Sequence, residues 1–195
     1  MNKNVSFDEA SKLVSEGKIG VMPTDTLYGL VARADDTEAV KKLYRVKKRE
    51  DKPGTVIAAS IEQLVELGLK ARYLKAVENY WPNPISIVIP TGSDLEYLHR
   101  GRLSLAVRIP ADEKLRHFLN NSGVLLTSSA NMPGKEPAKN LEEAKKYFGD
   151  LVDFYVDGGE LSGKPSTVIR IVDDAIEVLR KGSVKIDEET GRIEE

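Results

Sequence analysis

The chain alternates short apolar runs with amphipathic stretches, a pattern of strands interleaved with helices. Ser6-Phe7-Asp8-Glu9 has the spacing of a capping box, with Ala10, Leu13 and Val14 behind it at helical spacing and Gly17 to close the helix. Ile19-Gly20-Val21-Met22 is the first apolar run and predicts a strand that ends at Pro23, which lacks an N–H. Tyr28 to Val31 is expected to continue as a strand leading away. Asp36 can cap a second helix whose apolar face is Val40, Leu43 and Tyr44, with Lys47 one turn beyond Leu43. Thr55 to Ala59 predicts a short strand, and Ser60 to Gln63 the cap of the next helix. A further helix is expected around Lys70 to Tyr80, ending at Trp81-Pro82-Asn83-Pro84, with Trp81 read as core. Ile85 to Ile89 is nearly unbroken apolar and β-branched, which suits a strand covered on both faces.

The most informative strand is Leu103 to Ile109. Alternation puts Leu103, Leu105, Val107 and Ile109 on one face, and Ser104, Ala106 and Arg108 on the other. An arginine among small residues leaves room for an anionic ligand beside a rigid fork; pairing of Arg108 with a neighbouring acid is equally open. Pro110-Ala111-Asp112 opens a helix through Leu115, Phe118 and Leu119, stopped by Asn121 to Gly123. Val124 to Thr127 is another strand, Asn140 with Glu143 caps another helix, and Phe154-Tyr155-Val156 is a short strand. Thr167 to Val172 and Ala175 to Arg180 read as a hairpin closed by Asp173-Asp174. In that register Val172 faces Ala175, and Thr167 rather than Ser166 lies opposite Arg180.

The fold class that follows is α/β: a twisted mixed sheet with flanking helices and a cleft along one face. A length of 195 residues suits one domain, taken as 1–184, with 185–195 a charged tail expected to be mobile or loosely packed. The formal charge of −2 provides no whole-molecule field toward nucleic acid, so any such contact must be local. There is no cysteine, which excludes disulfides and thiolate metal sites. No apolar run approaches the ~20 residues of a membrane span. The start, Met1-Asn2-Lys3-Asn4, leads into a helix rather than a signal peptide, so a soluble cytoplasmic protein is expected.

Several chemistries find no carrier. His99 and His117 are the only histidines and neither sits at ligand spacing; His117 is expected on a helix surface. Neither a G-x-S-x-G elbow nor a G-x-G-x-x-G fingerprint occurs. Gly158 to Lys164 has the spacing G-x-x-x-x-G-K, but Pro165 follows in place of Ser or Thr, and a β-branched strand follows in place of a helix. It is rejected as a phosphate-binding P-loop and read as a flexible glycine-rich lid. What remains is cations and hydroxyls gathered at strand ends, which suits binding anions and stabilising charge in transit.

Those groups occur in four motifs. Pro23-Thr24-Asp25-Thr26-Leu27-Tyr28-Gly29-Leu30 follows the first strand. Lys47-Lys48-Arg49 ends the second helix, where cations also meet the negative end of its dipole. Ser129-Ala130-Asn131 and Ser166-Thr167 come later. In this order they resemble the YrdC-like family of threonylcarbamoyl-AMP synthases, whose motifs run PT(D/E)T-x-YGL, K-x-R, SAN and ST. The resemblance covers about Ile19 to Val184 and matches the short form without an extra C-terminal domain. Departures are a segment after Arg49 about one residue shorter, Gly54 in place of an aliphatic residue, Ser128 in place of threonine, and Pro133 in place of serine.

The resemblance implies synthesis of threonylcarbamoyl-AMP and pyrophosphate from L-threonine, bicarbonate or CO₂, and ATP with Mg²⁺, feeding threonylcarbamoyladenosine formation in tRNA through downstream transfer machinery. It implies that Thr24, Arg108, Ser128 and Ser166 surround threonine. Lys47 and Arg49 would hold phosphates as the catalytic cations, and Ser104, Ser129, Asn131 and Arg180 would fix the nucleotide. Because both Ser166 and Arg180 belong to that site, a bulge or an end to pairing is expected between Lys164 and Val168. An alternative from another class is a double-stranded RNA or tRNA-binding module built on Lys41, Lys42, Arg45, Lys47, Lys48, Arg49 and Lys52, with Arg100 and Arg102. Carbamoyl-adenylate chemistry on another substrate is a third.

Overall fold

The computed structural model describes residues 4–48, 52–173 and 175–194. Among them, nine strands form one mixed sheet. They are β1 (Gly20–Pro23), β2 (Tyr28–Arg33), β3 (Thr55–Ile57), β4 (Ile85–Pro90), β5 (Ser104–Arg108), β6 (Leu125–Ser129), β7 (Phe154–Tyr155), β8 (Thr167–Val172) and β9 (Ala175–Arg180). Their spatial order is β7-β1-β2-β6-β3-β5-β4-β8-β9, with β1–β7, β3–β5 and β4–β8 parallel and the other pairs antiparallel. The helices are α1 (Phe7–Ser15), α2 (Thr37–Lys47), α3 (Ile61–Glu66), α4 (Ala71–Lys75), α5 (Glu96–His99), α6 (Glu113–Ser122) and α7 (Leu141–Phe148). No helix among the described residues is long and apolar enough to cross a membrane.

Local chemistry sets the helix starts. The Ser6 hydroxyl accepts from the Glu9 N–H while the Glu9 carboxylate accepts from the Ser6 N–H, the reciprocal box that the spacing predicts. Asp36 takes the N–H groups of Glu38 and Ala39, both at 3.0 Å. The expected helix over 70–80 is instead α4 and a separate 3₁₀ turn at Glu78–Tyr80. Trp81 is half-buried against the core, its indole N–H donating to Ile85 O.

Pairing and alternation divide the sheet into two faces. One carries Tyr28, Leu30, Val56, Leu105, Val107, Leu126, Ile87 and Ile169 and forms the larger core beneath α2, α4 and α7. The other is covered only at one corner, where Met22, Val31, Ile57, Leu125 and Phe154 meet Ala10 and Val14 of α1 and Leu115, Phe118 and Leu119 of α6. The rest of that face runs through Gly29, Thr127, Thr55, Ala106, Arg108 and Ser86. Small and polar side chains in place of a third apolar layer leave the cleft.

Three expectations are corrected. Leu103 is not part of β5: its φ of 53° ends the extended run, and its side chain is 56 % exposed. The Gly158–Lys164 segment is a tied strap rather than a free lid, as its bonds show below. The tail folds as a small antiparallel hairpin, β10 (Lys185–Ile186) with β11 (Ile193–Glu194). The Tyr80 hydroxyl donates to Gly191 O, which ties the hairpin to the domain, and the Thr167 hydroxyl bonds the Val184 backbone just before it.

The β8–β9 register also differs. Val172 does face Ala175, and Ile169 faces Val178, but Val168 faces Arg180. Leu179 is therefore the extra residue of a bulge, in the strand opposite the one where an irregularity was expected. The shift turns Arg180 to the face of Val168 and Ser166. Asp174, half of the expected hairpin turn, lies outside the described residues.

Candidate active site

The cleft holds a cavity of about 100 Å³ whose walls come from the β1–β2 turn, the start of β3, β5, the end of β6, the approach to β8 and the end of β9. The turn is organised by Thr24. Its hydroxyl donates to Leu27 O at 2.7 Å and accepts from the N–H groups of Thr26 and Leu27. Gly29 lets this turn close on β6, since a Cβ there would stand 2.5 Å from the Thr127 hydroxyl.

Arg108 stands in the cavity wall, yet is 3 % exposed. Its Nη2 donates to Asp25 Oδ1 at 2.8 Å and its Nη1 to the Ser86 hydroxyl at 3.1 Å. Its Nε, and Asp25 Oδ2, are buried with no hydrogen-bond partner in the protein. Burial pushes the Asp25 carboxyl above its ordinary value against the pull of Arg108. Burial also pulls the guanidinium down from its own ordinary value, against the pull of Asp25.

From Ser86 the contacts continue. The Ser86 and Ser166 hydroxyls are 3.0 Å apart, and Arg180 Nη2 donates to the Ser166 hydroxyl at 2.9 Å. Arg180 also grips Ser166 O through Nε and Nη2. A continuous chain, Asp25–Arg108–Ser86–Ser166–Arg180, thus crosses the cleft from the first turn to the last long strand. Gly182 permits it: a Cβ there would lie 2.3 Å from Pro165 O.

Lys47 and the Ser129–Asn131 loop form a second unit. Lys47 is 4 % exposed, and its ammonium donates to Ser129 O, Asn131 O and Asn131 Oδ1 at 2.6–2.7 Å. The Ser129 hydroxyl donates to the same Oδ1 at 2.7 Å. Lys47 therefore stands beneath the loop and shapes it.

A domain model for Sua5/YciO/YrdC proteins, described as telomere recombination, matches residues 12–182. The chain belongs to the Sua5/YciO/YrdC family. It is 33 % identical over 187 residues to a threonylcarbamoyl-AMP synthase of Pyrococcus abyssi, covering 92 % of this chain and 54 % of that one. It is 32 % identical over 174 residues to one of Idiomarina loihiensis, covering 86 % and 92 % respectively. The chain thus spans about half of the first relative and nearly all of the second. The crystal structure of P. abyssi Sua5 complexed with L-threonine superposes with a TM-score of 0.83 at 30 % identity, over 95 % of this chain and 58 % of that one. The fold is shared with E. coli YciO, at a TM-score of 0.77 and 24 % identity over 93 % of this chain and 92 % of that one.

Against the family motifs, the structure brings Thr24, Arg108, Ser128, Ser129, Ser166 and Arg180 to one cavity. Ser128 borders it, though its pairing with Leu30 turns its side chain toward the larger core. Asn131 and Lys47 lie behind Ser129 rather than in the cavity wall. Ser104 pairs with Pro90 farther along the cleft face, outside the cavity. Arg49 lies outside the described residues. Sequence reasoning missed Thr127, Thr55 and Ser86; Asp25 stood in the first motif, and the acid that Arg108 pairs with is Asp25. Counting odd positions back from Ser129 would have put Thr127 on the cleft face; nothing local marks Ser86.

The near-P-loop glycines of this family member have a packing reason. The Tyr28 hydroxyl donates to Gly159 O and accepts from the Gly158 N–H, both at 2.8 Å. Burial raises the Tyr28 phenol, which keeps it neutral and able to do both. A Cβ on Gly158 would meet Pro23 at 2.5 Å, and one on Gly163 would meet Thr26 O at 2.8 Å. The two glycines spaced like a P-loop are thus close approaches of the strap, one to Pro23 at the end of β1 and one to Thr26 in the turn that follows. The element that follows is β8, not a helix.

The basic run is partly neutralised. Lys41 pairs with Glu38 at 2.8 Å and Lys42 with Asp153 at 2.6 Å, while Arg45 and Lys48 are exposed. The Arg100 guanidinium lies over the Tyr44 ring.

Proposed function

We propose that this chain is a threonylcarbamoyl-AMP synthase, acting in threonylcarbamoyladenosine formation in tRNA. The observation that carries the reading is the pair of guanidiniums joined across the cleft by Ser86 and Ser166, one of them, Arg108, buried with its Nε unpartnered in the protein. Arg108 suits an amino-acid carboxylate, with Ser166 beside it. Arg180 and Ser129, which line the same cavity, would hold the nucleotide, with Thr127 and Thr55 also in the cavity wall.

In this reading L-threonine's amine combines with CO₂ to give a carbamate, losing a proton. A carbamate oxygen attacks the α-phosphorus of ATP and pyrophosphate leaves. Among the described residues no histidine lines the cavity to activate one of its hydroxyls as a nucleophile. The protein holds two anions in register and spreads fixed positive charge around them. Lys47 keeps the Ser129–Asn131 loop in shape, and Arg49 is the cation the family motif adds for the phosphates. Mg²⁺ would enter with ATP as part of the substrate; among the described residues no group of three or more His, Cys, Asp or Glu offers it a separate cage.

Pyrophosphate release should require ATP, L-threonine and bicarbonate together. Release of phosphate from ATP that ignores threonine would overturn this reading, and release driven by another amine would redirect it to a different carbamoyl-adenylate. Delivery to tRNA would use the exposed cations Lys41, Arg45 and Lys48. Binding of tRNA that Lys41→Glu with Arg45→Glu leaves unchanged in strength and salt dependence would remove that part.

A further inference from the structure

The hydrogen-bond chain across the cleft has a direction that follows from counting donors. An arginine can only donate. The Ser86 hydroxyl accepts from Arg108, and the Ser166 hydroxyl accepts from Arg180. The two hydroxyls share a single contact of 3.0 Å, so one of their two hydrogens bridges them and the other is left over. If Ser166 donated to Ser86, the spare hydrogen would sit on Ser86, which is 0 % exposed and has no further acceptor among the described residues. If Ser86 donates to Ser166, the spare hydrogen sits on Ser166, which lines the cavity. The second arrangement avoids a buried unpaired donor and is the one the surroundings select.

We infer that Ser86 is a positioning residue that sets substrate specificity by making Ser166 a donor only. With Ser86 donating to it from one side and Arg180 from the other, both lone pairs of the Ser166 hydroxyl are filled. Its remaining hydrogen can meet a ligand atom that accepts, and it cannot receive a ligand N–H. Ser86 also fixes Arg108 through Nη1, so the two donors act on the same ligand end. Resting on the amino-acid reading proposed above, that end is the free carboxylate of L-threonine. The site thereby rejects carboxyl-blocked analogues whose amide carries hydrogens. Ser86 belongs to none of the four motifs, and it lies on β4, a strand whose remaining positions read as plain core.

The test is direct binding of L-threonine and of L-threoninamide by titration calorimetry to the wild-type protein, Ser86→Ala, Ser166→Ala and the double variant. Wild type should prefer the free acid, and Ser86→Ala should lower that preference about tenfold, because a lone pair on Ser166 becomes open to the amide. ATP affinity should stay within about twofold. The double variant should lose no more than the larger single, since the two hydroxyls act as one unit. Should Ser86→Ala fail to fold, Ser86→Cys, with its weaker donor, must still lower the preference. An acid-to-amide ratio unchanged in a folded Ser86 variant, with both ligands weakened alike, would reduce Ser86 to packing and overturn the inference alone. A wild-type protein that binds ATP but neither ligand would overturn it together with the amino-acid reading.

Discussion

Asp25 and Arg108, 83 residues apart in the chain, form a 2.8 Å ion pair with side chains 5 % and 4 % exposed. Two effects compete at Asp25: burial disfavours its charge, and the guanidinium favours it. Burial is the larger, so the folded value lies above the ordinary 3.8. The protonated form then contributes stability that is fully present below the unfolded value and is lost as pH rises through the raised one. Asp25→Asn does not titrate. The wild type should therefore lose stability relative to Asp25→Asn as pH rises above the ordinary carboxylate range, read as the difference between their melting temperatures. A gap that moves the other way would mean that the attraction of Arg108 wins.

Arg108→Lys keeps a charge and removes the fork. A lysine cannot bond Asp25 and Ser86 and still present a second N–H to a carboxylate. Loss of such a charge-assisted contact costs about 2–5 kcal/mol. The threonine KM should rise at least tenfold while the ATP KM changes little. Steady-state kinetics with a threonine KM within twofold of wild type would contradict the assignment.

Lys47 supplies three hydrogen bonds to the Ser129–Asn131 loop. Bonds to charged groups contribute about 1.5–3 kcal/mol each, and losses within one cluster do not add fully. Lys47→Met should lower unfolding stability in urea by about 2–4 kcal/mol with no ATP present, and weaken ATP use as well. If only ATP affinity falls, the ammonium serves phosphate directly and the loop holds itself.

Arg180 binds Ser166 through a backbone carbonyl and a hydroxyl from one side of its fork. Arg180→Lys cannot reproduce that geometry and should behave like Arg180→Ala. Both should lower kcat/KM for ATP at least tenfold, with a smaller effect on threonine affinity. Rescue by lysine would mean that only the charge matters at this position.

The local signals held wherever a few neighbouring residues decide the outcome. The capping box at Ser6, the cap at Asp36 and the Val172–Ala175 pairing are satisfied within a handful of residues, so sequence was enough for them. The alternation of Ser104, Ala106 and Arg108 likewise identified the cleft face of β5 before any neighbour was placed. Proline after the near-P-loop, with a β-branched run behind it, already excluded that motif. Of the motif residues, Thr24, Ser129 and Ser166 line one cavity beside strand ends, while Lys47, at the end of α2, and Asn131 stand behind it.

What the tertiary structure decided lies in partners distant along the chain. Asp25 meets Arg108, and Ser86 meets Ser166, only once the order of strands is set. The bulge at Leu179 reverses the face of Arg180 relative to the simple hairpin count, an offset that no propensity at Leu179 announces. Gly158 and Gly163 read as a flexible lid until Pro23 and Thr26 are seen beneath them. The physical reason is common to all three. A strand's period decides which side a residue faces, but a buried donor finds its acceptor across the sheet, at a distance that sequence spacing does not encode.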